Sequence, residues 1–401
     1  MTTRRVLVLN HFAVPPGYPG GTRHVELFSR LPGMSYVIIA GRRNLVTGLP
    51  QRAEPGFHPV AVTPYRGNGL GRALNWASYA VTATAAGLRQ PRPDVVYASS
   101  PHLLAGLSGW VVSRLRRTPF VLEIRDLWPR VLVEMGALSE TSVAYRALER
   151  LERFLYRHAD RIVIMAPGVR AAIEGKGVPS ERIAFIPNAA DPDDFLPSAD
   201  RDGLRRRYGF TRRTAVYAGA HGPANGLHLL LEAARAVPEI DVVLVGSGVE
   251  KPRLRAAADG IRNIRFLDPV PKTEIPDLLH AADIGVHVLA DVELFRGGVS
   301  PNKVFDYLAA GLPILTNSPG TVGDLVIGAD AGYVTPPNQL AHGLGQLVRA
   351  SPDDLAKMGA AGRRWIRENQ SRGAMSRALG QLLAPLVDTP PSARMPDAGS
   401  R

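Results

Sequence analysis

Apolar residues fall in short, nearly unbroken runs separated by turn residues and by stretches of helical period. The runs at 6–9, 36–40, 94–98, 120–124, 161–165 and 183–186 are too short for helices and rich in Val and Ile, so they predict buried strands of a parallel sheet. Between them, Val25, Leu27, Phe28 and Leu31 recur at helical spacing, as do the residues around 104–114 and the Leu148, Leu151, Leu155 face of a helix starting near 144. A second series repeats the alternation. Strands are predicted at 215–219, 241–245, 264–267 and 284–288, with helices at 227–236, around Leu254, and at 275–282. Gly or Pro closes most of these strands, which describes doubly wound α/β units whose loops gather along one edge.

The turn-dense stretch 187–197 separates the two series and marks a domain edge. The expected organisation is a first domain over 1–190, a second over 191–372, a helix over 373–387 that packs back on the first domain, and a disordered tail over 388–401. Residues 42–72 read as a Gly/Pro/Arg-rich connection. Residues 73–87 carry no charge and contain Trp76 and Tyr79, with Arg66, Arg72 and Arg89 at the flanks. The stretch falls short of the roughly 20 apolar residues of a membrane span. It predicts a packed helix, with a helix lying on a membrane surface as the alternative.

The chain has 401 residues, 45% of them hydrophobic, which supports two domain cores. It has no Cys, so thiol chemistry and Cys-ligated metals are excluded. The first strand follows the N-terminus too closely for a signal-peptide core, so a cytoplasmic protein is expected. The formal net charge of +12 favours anionic ligands and anionic membrane faces. Zinc-ligand spacing and an aromatic–basic strip are both missing, and no nucleic-acid partner is expected.

Candidate chemistry concentrates in 297–315. Gly297-Gly298 runs into Ser300-Pro301, residues suited to a helix start, and then into a helix with Val304, Phe305 and Leu308 toward a core. A helix start offers free N–H groups to a phosphate, and Lys303 adds a cation in the first turn. Asp306, one turn on, can accept from sugar hydroxyls; the alternative is a plain loop–helix–strand unit in which Asp306 is solvated and Lys303 snorkels. Gly20-Gly21 would let backbone approach a ligand closely, or else serves as a simple loop hinge. Arg125-Asp126-Leu127-Trp128 at a strand's carboxyl end supplies a phosphate partner, a hydroxyl acceptor and a stacking ring, or else an internal ion pair with a packing Trp. His102, at another strand end, is an acid/base candidate or a local helix-start residue. The dinucleotide fingerprint is absent, because no Gly-x-Gly-x-x-Gly follows the first strand.

Taken in order, Gly20-Gly21-Thr22-Arg23, Arg125-Asp126-Leu127-Trp128-Pro129, Tyr217-Ala218-Gly219-Ala220-His221-Gly222 and Ser300-Pro301-Asn302-Lys303 with Asp306 resemble the retaining glycosyltransferases of family 4 over about residues 4–386. The likeness is nearest to the WbuB-like branch of bacterial amino-sugar transferases. It implies two facing Rossmann-like domains, the fold called GT-B, with the acceptor on the first, the donor on the second and the active site in the cleft between them. It also implies metal-independent transfer of a sugar, an N-acetylhexosamine or related hexose, from a UDP-sugar to a hydroxyl acceptor, with retention and no cofactor. The acceptor belongs to bacterial glycan, glycolipid or secondary-metabolite synthesis and can be lipid-linked, with peripheral association at the inner face of the membrane.

The site residues the resemblance implies are Arg125, Asp126 and His102 for catalysis, and Gly20, Gly21, His221, Gly222, Gly246, Val270, Arg296, Ser300, Asn302, Lys303 and Asp306 for the donor. Two departures stand out. The family's Glu-x7-Glu keeps a carboxylate at Asp306 but has Gly298 at its first position, and the family's Arg and Lys diphosphate clamp falls on Ala220 and Asn225. Lys303 and Arg296 are the expected replacements. A UDP-sugar 2-epimerase of the same fold and a non-catalytic nucleotide-sugar or polyanion binder are the alternatives.

Overall fold

The computed structural model describes residues 3–65 and 69–388, with Leu294 described by its backbone alone. The N-terminal unit contains β1 (Arg4–Leu9), α1 (Arg23–Phe28), β2 (Met34–Gly41), β3 (Phe57–Val60), α2 (Leu70–Arg89), β4 (Val95–Ser100) and α3 (Leu103–Arg116). It continues through β5 (Phe120–Ile124), α4 (Arg130–Glu134), α5 (Val143–His158), β6 (Arg161–Ile164), α6 (Arg170–Glu174) and β7 (Ile183–Phe185). Its seven strands lie in the order β3-β2-β1-β4-β5-β6-β7, all pairs parallel. Continuous runs such as Val6–Leu9 are buried because helices cover both faces.

The C-terminal unit holds α7 (Arg201–Tyr208), β8 (Thr214–Ala218), α8 (Leu227–Ala236), β9 (Asp241–Val245), α9 (Lys251–Ala257), β10 (Ile264–Leu267), α10 (Ile275–Ala281) and β11 (Ile284–His287). Then follow α11 (Glu293–Gly298), α12 (Asn302–Ala310), β12 (Ile314–Thr316), α13 (Thr321–Gly328), β13 (Gly332–Val334), α14 (Leu340–Arg349), α15 (Pro352–Asn369) and α16 (Arg372–Asp388). Its six parallel strands are ordered β10-β9-β8-β11-β12-β13. In both sheets the strand order reverses beside the first strand, between β1 and β4 and between β8 and β11, and ligands of open α/β sheets bind outside the carboxyl ends at such reversals.

Three readings are corrected or extended. The connection 42–72 contains β3, which the Pro and Gly around it disguise. The uncharged helix is longer than 73–87, running from Leu70 to Arg89, while Arg66 lies outside the described residues. Residues 372–388 form α16, whose Leu379 and Leu383 are fully buried with Leu27, Phe28 and Leu31 of the first unit, and Ser376 Oγ donates to the Leu27 carbonyl at 2.9 Å. The tail expected to be disordered lies, beyond Asp388, outside the described residues.

Candidate active site in the interdomain cleft

A cleft of about 370 Å³ opens between the two sheets' carboxyl edges. One wall is the loop after β1, with Gly20, Gly21 and Thr22, together with Glu26 of α1 and Arg125 after β5. The other is Ala218–Ala220 after β8, Gly246 after β9, Val270 and Lys272 after β10, and Asn302, Lys303 and Asp306 of α12. A larger hollow of about 860 Å³, bordered by Asp330, Arg349, Lys357 and Arg364, lies on the second unit, where it meets one strand, β13, at Tyr333.

Helix α12 is fixed where β8 and β11 meet. Tyr307 is fully buried; its hydroxyl donates to the Val286 carbonyl at 3.2 Å and accepts from the Ala218 N–H at 2.9 Å. A side chain at Gly285 would put its Cβ 2.5 Å from the Tyr307 ring, so that glycine makes room for the ring. With Tyr307 seated, Lys303 and Asp306 are presented to the cleft.

Lys303 Nζ donates to the Tyr217 hydroxyl at 3.2 Å and to Asn225 Oδ1 at 3.5 Å, and sits 4.6 Å from the Tyr217 ring centre. Burial lowers its pKa to about 8, and the nearby Asp306 carboxylate opposes that shift only in part. Its stem passes over Gly219, where a Cβ would come within 2.7 Å of Lys303 Cε. The cation therefore occupies the ground between Gly219 and Asn225 that the resemblance assigns to a lysine at 225. Gly246 adopts φ +145° and lies so close to the Gly219 carbonyl that a Cβ would sit 1.9 Å from the oxygen, so only glycine fits there.

Asp306 is paired. Lys272 Nζ donates to its two carboxylate oxygens at 2.6 and 2.5 Å, and lies 5.5 Å from the Phe195 ring centre. A carboxylate offers about four lone-pair sites, so Asp306 keeps acceptor capacity for a hydroxyl. Lys272 was not singled out from the sequence, although it is one of only five lysines in the chain and closely follows β10, after Val270 and Pro271 of its loop. Two further cleft residues were also missed. Arg372, at the start of α16, pairs through Nε with Glu26 at 3.0 Å, and Glu26 accepts from Thr22 Oγ at 2.8 Å. Their meeting spans hundreds of residues of chain, and no local pattern announces it.

Of the residues named from the sequence, Gly20, Gly21, Arg125, Gly246, Val270, Asn302, Lys303 and Asp306 line the cleft. The others stand elsewhere. His102 is buried, accepts from the Ala105 N–H at 3.3 Å as the cap of α3, bonds His11 at 2.8 Å and stacks on Trp76. Burial holds its pKa well below the ordinary histidine value, so it is a neutral packing and capping group. Asp126 is exposed beside the cleft, and Trp128 is buried edge-on to Trp76, unable to stack on a ligand from that position. His221 is fully buried, with burial and the cations Lys251, Lys303 and Arg255 lowering its pKa to about 4; Gly222 follows it outside the cleft lining. Arg296 pairs with Asp291 at 3.4 Å and Glu293 at 3.0 Å and leaves the cleft to Lys303. Ser300 faces the interdomain linker instead, accepting from the Asn188 N–H at 3.2 Å.

Residues 20–189 match the model of a glycosyl transferase 4-like domain, and residues 212–350 that of the glycosyl transferases group 1. The probable glycosyltransferase WbjE of Pseudomonas aeruginosa is 26% identical over 310 residues, 75% of this chain and 76% of the relative. A GDP-mannose-dependent alpha-mannosyltransferase of Mycobacterium tuberculosis is 27% identical over 280 residues, 70% of each chain. Among solved structures, sucrose-phosphate synthase from Thermosynechococcus elongatus superposes with a TM-score of 0.75 at 16% identity, covering 96% of this chain and 99% of that one. Anabaena HepE in complex with UDP-glucose gives 0.70 at 18% identity, covering 95% and 100%. The architecture is that of GT-B glycosyltransferases.

Proposed function

From the premise that this chain is a GT-B glycosyltransferase, joining a glycosyl transferase 4-like domain to a group 1 domain, we propose that it moves a sugar from a nucleoside diphosphate sugar to a hydroxyl acceptor with retention at the anomeric carbon. The observation that carries this reading is Lys303: a desolvated cation in the first turn of α12, aimed at the ground between Gly219 and Asn225 and facing Gly20 and Gly21 across the cleft. The diphosphate lies along the start of α12, where Lys303, the free N–H groups and Arg125 from the opposite wall meet the charge that develops as the anomeric C–O bond breaks. The acceptor oxygen forms the new bond on the same face, and its proton passes to the departing phosphate oxygen. Asp306, oriented by Lys272, receives a ribose hydroxyl.

The donor is a UDP-sugar of the N-acetylhexosamine or hexose class. The relatives leave the choice of base open, since one is named for GDP-mannose and one neighbour holds UDP-glucose. A panel of UDP, GDP, TDP and ADP in thermal shift decides it. A ligand at about 100 times its Kd stabilises by roughly 2.7 kcal/mol, and the shift is expected with UDP and lost in Lys303→Ala and Asp306→Ala. No shift with any nucleotide would turn the reading to a non-catalytic binder; near-normal turnover in both variants would displace the donor from this cleft.

The acceptor is lipid-linked, supported by the outer face of α2. That face exposes Leu70 by 77%, Leu74 by 55% and Val81 by 71%, one stripe opposite the buried Asn75, Tyr79 and Ala83. A surface helix ordinarily turns charges outward, and this one has none between Arg72 and Arg89. At its end Arg89, Arg92, Arg114 and Arg117 are exposed and, among the described residues, form no ion pair with a carboxylate. No described helix is long and apolar enough to cross a membrane. An apolar stripe with basic flanks suits the surface of an anionic bilayer.

A further inference from the structure

The two walls of the cleft are tied together behind it by two buried side chains, Arg23 and Asn188, and the half-buried Ser300. Arg23, only 4% exposed, donates through Nε to Glu123 at 3.0 Å, and through its two terminal nitrogens to the Pro187 and Ile186 carbonyls, each at 2.6 Å. One of those nitrogens also lies 3.4 Å from Asn188 Oδ1. Asn188, 1% exposed, then reaches into the second domain, its backbone N–H donating to Ser300 Oγ at 3.2 Å and its side-chain amide to the Ser300 carbonyl. Each member adjoins a cleft residue: Arg23 follows Thr22, Asn188 precedes Ala189, and Ser300 precedes Pro301.

The anchor at the far end is firm. Glu123 is fully buried and also accepts from Tyr97 at 2.7 Å and Ser99 at 2.8 Å, with His24 Nε2 at 3.0 Å. Burial alone would raise its pKa, but Arg23, His24 and Arg125 together hold it well below the usual carboxylate value and keep it an anion, so Arg23 has a fixed charge to rest on. On the C-terminal side the tie ends at the residue from which the loop enters α12, two positions before Asn302.

We propose that Asn188 is a positioning residue that sets the distance between the Gly20–Thr22 wall and the first turn of α12, so that a diphosphate is gripped from both sides at once. The inference rests on the donor site placed above at α12. Neither Arg23 nor Asn188 touches the ligand; they act by fixing Ser300, and through it the N–H groups and Lys303 that follow.

Asn188→Asp is the sharp test, because Asp keeps the volume and the acceptor facing Arg23 but loses the donor to the Ser300 carbonyl. Ser300→Ala, which removes only the hydroxyl acceptor, is the second variant. Two readouts are taken on the full chain: hydrogen exchange of the amides at 302–306 without ligand, and affinity for UDP and GDP beside UMP and GMP. Faster exchange at 302–306 with exchange in β1, β4 and β5 unchanged is expected, together with about a tenfold loss of diphosphate affinity and a smaller loss for the monophosphates, whose single phosphate needs only one wall. Equal losses for mono- and diphosphates, or unchanged exchange at 302–306, would overturn the proposal. If the wild type binds no nucleotide, the donor reading fails, and the exchange readout alone decides whether Asn188 positions α12.

Discussion

Lys303 carries opposite pH signatures in the free and liganded protein. Its folded pKa of about 8 lies below the 10.5 of a free lysine, so between these values the unfolded chain holds more protons than the folded one. In that window this group makes the empty protein more stable as pH rises. A bound diphosphate reverses the preference by favouring the ammonium. Affinity for UDP, or whichever nucleotide binds, is therefore expected to be flat below about pH 8 and to fall toward tenfold per pH unit above it, measured by calorimetric titration. Lys303→Arg, charged throughout, is expected to flatten the decline; an unchanged decline in that variant would assign it to another group. At this scale a helix start in the sequence pointed to Asn302, Lys303 and Asp306, and all three line the cleft. The strand end that suggested His102 and the resemblance that suggested His221 did not announce that both side chains are buried, a rotamer choice that only tertiary packing makes. Lys272, Glu26 and Arg372 stayed invisible because their partners are distant in the chain.

Among the elements, α2 departs furthest from ordinary surface composition. If its outer stripe lies on a bilayer, Leu74→Glu with Val81→Glu places two carboxylates in the headgroup layer and is expected to abolish co-sedimentation with vesicles of anionic phospholipid while leaving UDP binding unchanged. Equal sedimentation of wild type and variant, or of wild type with neutral vesicles, would refute the assignment. The runs of Val and Ile announced most strands, since a strand covered on both faces has no polar side to confuse its signal. β3 was passed over because its Phe57-His58-Pro59-Val60 lacks that run, half of it being only partly covered at the sheet's edge. The elements between 317 and 350 went unread as well, being three- to ten-residue pieces with Gly inside and around them.

For the whole molecule, the alternation of strands and helices was enough to foresee two parallel-sheet units, and the landmarks to foresee the cleft. The last helix belongs to the first unit's core: Leu383, fully buried against the Leu27 and Phe28 layer, is expected on replacement by Ala to cost about 2–5 kcal/mol, read as a lower denaturant midpoint. A loss under about 1 kcal/mol would mean that α16 only rests on that surface. Because α16 returns to the unit in which β1 began, the second unit is threaded between two passages of chain, and Arg372 clasps them, its N–H donating to Asp191 at 2.7 Å and its guanidinium to Asp194 at 2.5 Å. Two pins on one seam make a door rather than a ball joint. Joining along a seam favours swinging about that line over sliding or twisting, so a cleft that closed in this way would bring Lys303 back toward the Gly20–Gly21 wall.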